Sequence, residues 1–302
     1  MSYYKADNLF SIPITPGNLH SPLNYTGSKF RLLPQILPLF PKNIGTFVDL
    51  FCGGCNVGIN VNASLHLFND IQKEIIELYK TMIEIGEDDF IAKALRVIDT
   101  YTLVNRQNKQ DQNKDNFIKL REETNKLEHS EEYYINLFVL VQFSFCNQIR
   151  FNSNGEFNVP IGDGCFTTKK VDDTRRFIRR LTELTIEFSA DSFIDFNYDR
   201  LDSNSFVYLD PPYLITDAVY NSIWSREEEV KLLNVLDTLS SRNIKWALSN
   251  VLETKGNKNN ILSDWLTNSN YTAHHLDIQY TRDNHAQGQH THFTDEVLIT
   301  NY

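Results

Sequence analysis

The 302-residue chain has few features of a secreted or membrane protein. It contains only four cysteines, Cys52, Cys55, Cys146 and Cys165. We expect these to be free thiols, because so few cysteines do not make a disulfide framework in a chain of this length. No apolar run approaches the ~18 residues of a membrane span, and residues 1–13 lack the pattern of a signal peptide. These absences predict a cytoplasmic protein.

Positive charge is also scarce. The chain has 29 Lys and Arg against 39 Asp and Glu, a net charge of −10. A polyanion is repelled by such a total, so any binding of nucleic acid must depend on a local basic surface. Residues 146–181 carry seven basic and four acidic side chains, and this segment is the candidate for such a surface.

The pattern of apolar residues predicts an α/β fold. Hydrophobic residues make up 41% of the chain and charged residues 23%, so it can bury a core, and its length suggests about two domains. Short apolar runs alternate with helical periods, which is typical of a parallel sheet covered on both faces. Strands are predicted at 46–51, 64–68, 186–188, 206–209, 245–248 and 296–300. A helix is predicted at 175–184, and Ser225-x-x-Glu228 is a capping box that opens another.

The middle of the chain differs from its flanks. Residues 105–125 are rich in Asn, Gln, Lys and Asp, residues 133–145 are apolar, and residues 147–164 are dense in Asn and Gly. This texture predicts an inserted, mainly helical unit at 85–168 that ends in a β-hairpin. The core would then comprise residues 1–84 and 169–302.

Two early strands carry the features of a nucleoside site. The first ends in Asp49 and is followed by a glycine-rich turn, 52–58, in which glycines let the backbone approach a ligand closely. The second ends at Asn69 and Asp70, about 20 residues later, where nucleoside-binding folds place an acid for the ribose hydroxyls.

The segment Asp210-Pro211-Pro212-Tyr213 follows the apolar strand 206–209 directly. Two prolines cannot continue a central strand, so the segment presents an acid, a rigid carbonyl and an aromatic ring at the end of the sheet. The Asp210 carboxylate and the Pro211 carbonyl could accept hydrogen bonds from a planar amine and localise its lone pair, while Tyr213 stacks on the ring. The alternative is a stiff turn without chemistry.

Taken in order, these motifs resemble the Dam-like alpha group of DNA adenine methyltransferases. Residues 23–29 look like its N-terminal cofactor segment, 47–58 like its methionine-side loop, and 210–213 like its catalytic tetrad. Residues 147–162 look like its DNA-reading hairpin and 296–302 like its closing strand. The sequence departs from the family at Cys55, where glycine is common, and at Tyr25, where tryptophan is frequent.

The resemblance implies a Rossmann-like class I methyltransferase core and a target-recognition domain at 85–168. It implies transfer of methyl from S-adenosylmethionine to N6 of an adenine flipped out of duplex DNA. The implied catalytic residues are Asp210, Pro211, Pro212 and Tyr213. The implied cofactor-binding residues are Tyr25, Lys29, Asp49, Phe51, Gly53, Asp70, Asp191 and Asp210. The implied DNA-binding residues are Asn147, Gln148, Arg150, Asn152 and Asn158.

Other interpretations remain open at this point. The same device could methylate another planar amine, in RNA adenine, DNA cytosine or protein glutamine, or the chain could be a non-catalytic binding module. Arg176, Arg179 and Arg180 fit either a solvated helix face or a phosphate clamp. We expect no metal: Cys52 and Cys55 fit buried thiols, and the cluster His274, His275, His285, His290 and His292 fits a polar loop. We expect a monomer acting on double-stranded DNA, with a cognate restriction endonuclease as partner if it serves a restriction–modification system.

Overall fold

The structure is a computed structural model that describes residues 17–23, 27–216, 224–277 and 294–302. The strands are β1 (Thr46–Asp49), β2 (Leu65–Asn69), β3 (Ile186–Ser189), β4 (Ser205–Leu209), β5 (Lys245–Thr254), β6 (Asn257–Lys258), β7 (Thr272–Leu276) and β8 (Thr294–Thr300). The α-helices are α1 (Leu33–Ile36), α2 (Lys73–Ile85), α3 (Glu87–Thr100), α4 (Gln110–Thr124), α5 (Glu131–Phe143), α6 (Thr168–Glu183), α7 (Arg226–Ser241) and α8 (Asn260–Thr267). The predicted α/β class is confirmed, and a strand forms at each of the six predicted positions.

The chain divides into two compact units. The first contains Met1–Phe30, Gly53–Asn60 and Gln72–Ala190, and the second contains Arg31–Cys52, Val61–Ile71 and Asp191–Tyr302. These units are drawn differently from the predicted boundaries, because α2 and α6 both fall in the first unit. The assignment of 85–168 to a separate recognition domain stays a prediction.

The second unit is built on a mostly parallel sheet. Its strands follow the order β2-β1-β4-β5-β8-β7, and β6 pairs with β5. The pairs β1–β2, β1–β4 and β4–β5 are parallel, whereas β8 runs antiparallel to both β5 and β7. The chain leaves β1 toward β2 on one side and later returns to β4 on the other. The strand order therefore reverses between β1 and β4, which in open α/β sheets is where ligands bind, beyond the carboxyl ends of the strands.

Burial on both faces explains why β1 and β4 read as continuous apolar runs. All five residues of β4 are buried, and Val48, Val207 and Trp246 are completely enclosed. Helix α7 covers one face of the sheet with Leu232, Leu233 and Leu236. The predicted start of this helix is confirmed: Ser225 is its N-cap, and its hydroxyl accepts a hydrogen bond from the Glu228 N–H at 3.2 Å.

The first unit is helical apart from β3. Its centre is α5, in which every residue from Tyr133 to Phe143 is buried. Helix α6 is amphipathic, and Thr167 is its N-cap, whose side chain accepts from the Lys170 N–H. On α6, Arg175 pairs with Asp88 at 3.1 Å and Arg179 with Glu87. These acids lie in the first turn of α3, where negative charge is favoured. Each of the two arginines is therefore paired with an acid of the same unit.

Strand β7 was not predicted. His274 and His275 lie on it, so the expectation of a polar loop is wrong for these two residues, while His285, His290 and His292 lie outside the described residues. His274 contacts the Thr300 hydroxyl and His275 pairs with Asp295 at 2.7 Å, both across the strand pair. A polar edge strand lacks the apolar alternation from which strands are predicted.

Candidate active site

The segment 210–213 follows the carboxyl end of β4 as irregular backbone, since its prolines prevent the strand from continuing. The Tyr213 hydroxyl donates a hydrogen bond to Asp210 Oδ1 at 2.9 Å. It also lies 3.4 Å from Glu296 Oε1 on β8. Within β4, two residues before Asp210, the Tyr208 hydroxyl pairs with the Ser249 hydroxyl at 2.8 Å. The predicted acid and aromatic ring of the tetrad are thus joined to each other.

Burial controls the ionisation of the two tyrosines at the end of β4, Tyr208 and Tyr213. Burial, followed by repulsion from Asp210 and Glu296, raises the pKa of Tyr213 well above its ordinary value. Burial also raises the pKa of Tyr208, with a smaller contribution from Asp210. Both phenols therefore keep their protons at neutral pH, and Tyr213 can only act toward the carboxylates as a donor.

The predicted acids of the second unit lie at the same edge of the sheet. Asp49 at the end of β1 is paired in register with Tyr208 of β4, two residues before Asp210. Asp70 directly follows β2, and both Asp49 and Asp70 are buried, with 2% and 8% of their surface exposed. Because parallel strands bring their carboxyl ends to one edge, these carboxylates and the tetrad share one edge of the sheet.

Asn69 organises this edge and was missed as a functional residue. Its side-chain amide donates to the Leu50 and Asp191 carbonyls, both at 3.0 Å, and accepts from the Asp191 N–H at 3.0 Å. Its own carbonyl accepts from the Cys52 N–H at 2.8 Å. The segment that carries Asp191 is therefore tied to the ends of β1 and β2. Only the position of Asn69 next to Asp70 could have suggested this role.

Apolar side chains complete the edge. The Phe51 ring packs against Phe193 and Trp224, with centroids 5.7 and 5.9 Å apart. Ile71 and Ile194 are exposed, at 66% and 45%, although each directly or closely follows a predicted cofactor acid. Ile71 is thus an exposed isoleucine directly after a buried carboxylate, whereas the Asp191 near Ile194 is itself exposed.

The cofactor candidates of the first unit have defined local contacts. Lys29 is buried, and its ammonium group donates to the Gly27 carbonyl at 2.8 Å. Gly53 has a φ of 44° and its carbonyl accepts from the Tyr79 hydroxyl at 2.6 Å. Cys55 is buried with a φ of 60°, a left-handed conformation that glycine adopts more easily. Tyr25 lies outside the described residues.

The predicted DNA-reading segment folds back on itself. Phe151 and Phe157 form an antiparallel bridge, and the Asn152 side chain accepts from the Glu156 N–H at 3.0 Å and donates to its carboxylate at 2.8 Å. Arg150 donates from Nε to Asn158 Oδ1 at 2.8 Å and from Nη2 to the Asn158 carbonyl at 3.2 Å. Arg150 and Asn158 are therefore brought together, and the guanidinium group is held on one edge.

The start of this segment is a tightly packed bend. Cys146 and Asn147 have φ values of 53° and 51°, and the Asn147 amide donates to the Val141 and Gln142 carbonyls at the end of α5. Asn147 thus caps a helix, while Gln148 lies in the bend and is half-buried. The bend presents Phe145, 53% exposed, whose importance the apolar run 133–145 concealed. A Cβ on Gly162 would come within 2.6 Å of the Phe145 Cα, so the bend is tightly packed behind the ring.

Comparison with known proteins identifies the class. Residues 25–283 match the family of D12 class N6 adenine-specific DNA methyltransferases, and the chain belongs to this family. The predicted resemblance is confirmed. The chain is 39% identical to the modification methylase StsI of Streptococcus sanguinis over 98% of its length and 40% identical to the type II methyltransferase M.FokI of Planomicrobium okeanokoites over 95%. It is 26% identical to the DNA adenine methylase of Escherichia coli (strain K12), covering 76% of this chain and 79% of that protein.

The alignment covers only part of the first two relatives, 45% and 44% of their length. The chain therefore spans less than half of each. Among the described residues, no helix is both long enough and apolar enough to cross a bilayer.

Proposed function

We propose that this chain transfers a methyl group from S-adenosylmethionine to the exocyclic amino nitrogen, N6, of an adenine flipped out of duplex DNA. The observation that carries the proposal is the segment 210–213. It follows β4 beside the reversal of strand order, and its carboxylate, Asp210, accepts a hydrogen bond from the Tyr213 hydroxyl. Family membership supports the reaction, and the names of the relatives support a role in restriction–modification.

Asp210 and Pro211 would act on the amine itself. The lone pair of an aromatic amine is delocalised into its ring and is a poor nucleophile. A carboxylate and a main-chain carbonyl that accept hydrogen bonds from its two N–H groups would favour tetrahedral geometry and return the lone pair to nitrogen. The ring of Tyr213 would stack on the flipped base, with its hydroxyl anchored on the carboxylates behind it.

The carboxyl edge of the sheet suits S-adenosylmethionine. Asp70 offers a buried acceptor for ribose hydroxyls, and Ile71 and Ile194 offer exposed apolar surface for an adenine ring. We propose Tyr25, Lys29, Asp49, Phe51, Gly53 and Asp191 as its further contacts. When bound, the cofactor supplies a sulfonium methyl group, an electrophile whose leaving group needs no metal or covalent activation. The protein's contribution is to hold and orient the two reactants.

The direct test uses this chain, labelled S-adenosylmethionine and unmethylated duplex DNA, with the modified base identified by mass spectrometry. N6-methyladenine is the expected product. If the label appears in cytosine, RNA or protein in parallel reactions and not in duplex adenine, the proposed substrate is overturned, but the assignment to the methyltransferase class stands. A cofactor that binds without any transfer would overturn the activity of this chain by itself.

We propose residues 85–168 as the target-recognition domain, with Asn147, Gln148, Arg150, Asn152 and Asn158 in or beside the reading segment. Arginine reads the O6 and N7 edge of guanine with a planar fork, and it discriminates best when that fork is held in one orientation. Asn158 fixes this orientation, because its side-chain and main-chain oxygens accept hydrogen bonds from Nε and Nη2 of Arg150.

Asn158→Ala is therefore expected to reduce sequence discrimination by about tenfold, since a well-placed base contact is worth roughly 1–3 kcal/mol. The measurement is the ratio of methylation at mapped cognate sites to that at sites with one base changed. Asn116→Ala is the matched control: this half-buried asparagine of α4 donates to the Thr102 carbonyl, at 3.4 Å, and its loss should leave the ratio unchanged. An unaltered ratio in Asn158→Ala would show that the pair does not read bases.

The exposed ring of Phe145 would lower the free-energy cost of flipping a base. Unstacking an adenine costs a few kcal/mol, and apolar side chains that insert between base steps offset part of this cost. The backbone behind Phe145 is tightly packed, since a Cβ on Gly162 would come within 2.6 Å of the Phe145 Cα, and this packing would support the ring during insertion.

Phe145→Ala is accordingly expected to reduce the flipped population by about tenfold. Fluorescence of 2-aminopurine placed at the target adenine reports that population directly. Phe145→Leu, which keeps an apolar wedge, should retain more of the signal than alanine. Equal fluorescence in all three proteins would exclude a wedge at this position.

A further inference from the structure

Glu296 is a buried carboxylate for which the proposed reaction supplies no role. It lies on β8, opposite Val251 of β5 and Leu276 of β7, and only 3% of its surface is exposed. An ionised carboxylate costs much free energy to bury unless donors compensate it. The groups that Glu296 contacts beside the tetrad must therefore offset part of this cost.

The group that it meets at the tetrad is the hydroxyl of Tyr213. This hydroxyl has one proton and two carboxylate acceptors, Asp210 at 2.9 Å and Glu296 at 3.4 Å. The two acceptors approach from different strands, β4 and β8, which β5 separates in the sheet. The phenol thus links the end of β4 to a strand that carries no other part of the tetrad.

The electrostatic surroundings keep this link intact. Burial and the charges of Asp210 and Glu296 raise the pKa of Tyr213 well above its ordinary value. The phenol consequently remains a donor throughout the pH range in which an enzyme works. Removal of either carboxylate changes the position of its proton but leaves the other carboxylate as an acceptor.

We propose, building on the function proposed above, that Glu296 is a positioning residue for Asp210 and Tyr213 of the segment 210–213. By sharing the Tyr213 proton with Asp210, it fixes the phenol ring and, through it, the orientation of the carboxylate that receives the target amine. Glu296 does not touch the reacting atoms. It limits the rotation of two side chains that do.

Glu296→Gln keeps the size of the side chain and removes its charge and one of its two acceptor oxygens. We expect kcat to fall about tenfold, as for loss of a hydrogen bond to a charged group. We expect KM for DNA and for S-adenosylmethionine to stay within about twofold, because ground-state binding does not depend on the fixed rotamers. Asp295→Asn is the matched control: it is the preceding residue of β8, and its carboxylate pairs with His275 instead.

A double-mutant cycle with Tyr213→Phe tests whether Glu296 acts through the phenol. Phenylalanine removes the shared proton, so adding Glu296→Gln to Tyr213→Phe should slow the reaction no further. Independent, multiplicative losses would overturn the proposal, as would an equal loss in Asp295→Asn.

A second measurement does not need methyl transfer. With 13C at Cζ of tyrosine, the Tyr213 resonance is assigned by its absence in Tyr213→Phe. We expect it to move in Glu296→Gln and to stay in place in Asp295→Asn, because only the first changes the acceptors of the hydroxyl. If the wild type methylates no DNA, the proposed function fails and this spectrum still decides the link. An unmoved resonance in Glu296→Gln overturns it.

Discussion

Asp210→Ala is expected to slow methyl transfer by about 10³-fold, the order found when a preorganised acceptor or donor is removed from a reacting group. Alanine cannot accept a hydrogen bond from the target amine, and only the Pro211 carbonyl would remain to localise the lone pair. The segment 210–213 should keep its conformation, because Tyr213 retains Glu296 as an acceptor and the prolines still end β4. A single-turnover measurement with enzyme in excess isolates the chemical step from product release.

The concentration dependence of the same experiment separates two roles of Asp210. If the carboxylate activates the amine, saturating S-adenosylmethionine does not restore the rate of the variant. If it only binds the cofactor, a higher cofactor concentration restores the rate, and the assignment as an amine acceptor is lost. Asp264→Ala, an exposed carboxylate on α8, is the control and should match the wild type.

Local sequence signals were sufficient to predict the main frame of the second unit. Strand β4 ends at Leu209, directly before Asp210 and the two prolines that prevent it from continuing, and β2 ends at Asn69, whereas β1 ends at Asp49, two residues before the predicted end. Parallel topology then brings these ends to one edge, so the acids of the sheet could be predicted to share a crevice before any contact was known.

Residues whose roles depend on contacts distant in sequence could not be predicted in this way. Glu296 meets Tyr213 across 83 positions, and Asn69 holds Asp191 across 122. Arg179 is paired with Glu87 on another helix, although its sequence neighbourhood fits a phosphate clamp equally well. No local sequence pattern distinguishes a carboxylate that faces catalytic residues from one that faces water.

Glu229 shows the same limit on helix α7. The capping box Ser225-x-x-Glu228 is visible in sequence, yet the next residue carries the larger structural role. Glu229 is completely buried, and it accepts hydrogen bonds from Trp224 Nε1 at 2.7 Å, Asn259 Nδ2 at 2.9 Å and Asn250 Nδ2 at 3.3 Å. One carboxylate therefore joins the residue that enters α7, the cap of α8 and strand β5.

Glu229→Ala is expected to lower the free energy of unfolding by about 3–5 kcal/mol, because three buried donors lose their acceptor at once. Denaturant titration measures the change. The matched control is Glu228→Ala on the same helical turn, which removes an exposed pair with Lys231 and should cost less than about 1 kcal/mol. Comparable losses in the two variants would show that the buried network contributes no more than a surface ion pair.

Glu229→Gln sharpens this test, since the amide has the same shape as the carboxylate but only one acceptor oxygen. If that oxygen faces Asn250 and Asn259, the amide nitrogen faces the Trp224 N–H, and two donors confront each other. If the amide is turned round, the two asparagines lose their acceptor instead. Either orientation leaves a buried donor unpaired, so we expect Glu229→Gln to be destabilised by about 1–3 kcal/mol despite its unchanged volume. The displaced indole of Trp224 would also disturb Phe51, against which it packs, so this variant should bind S-adenosylmethionine more weakly than Glu228→Gln does.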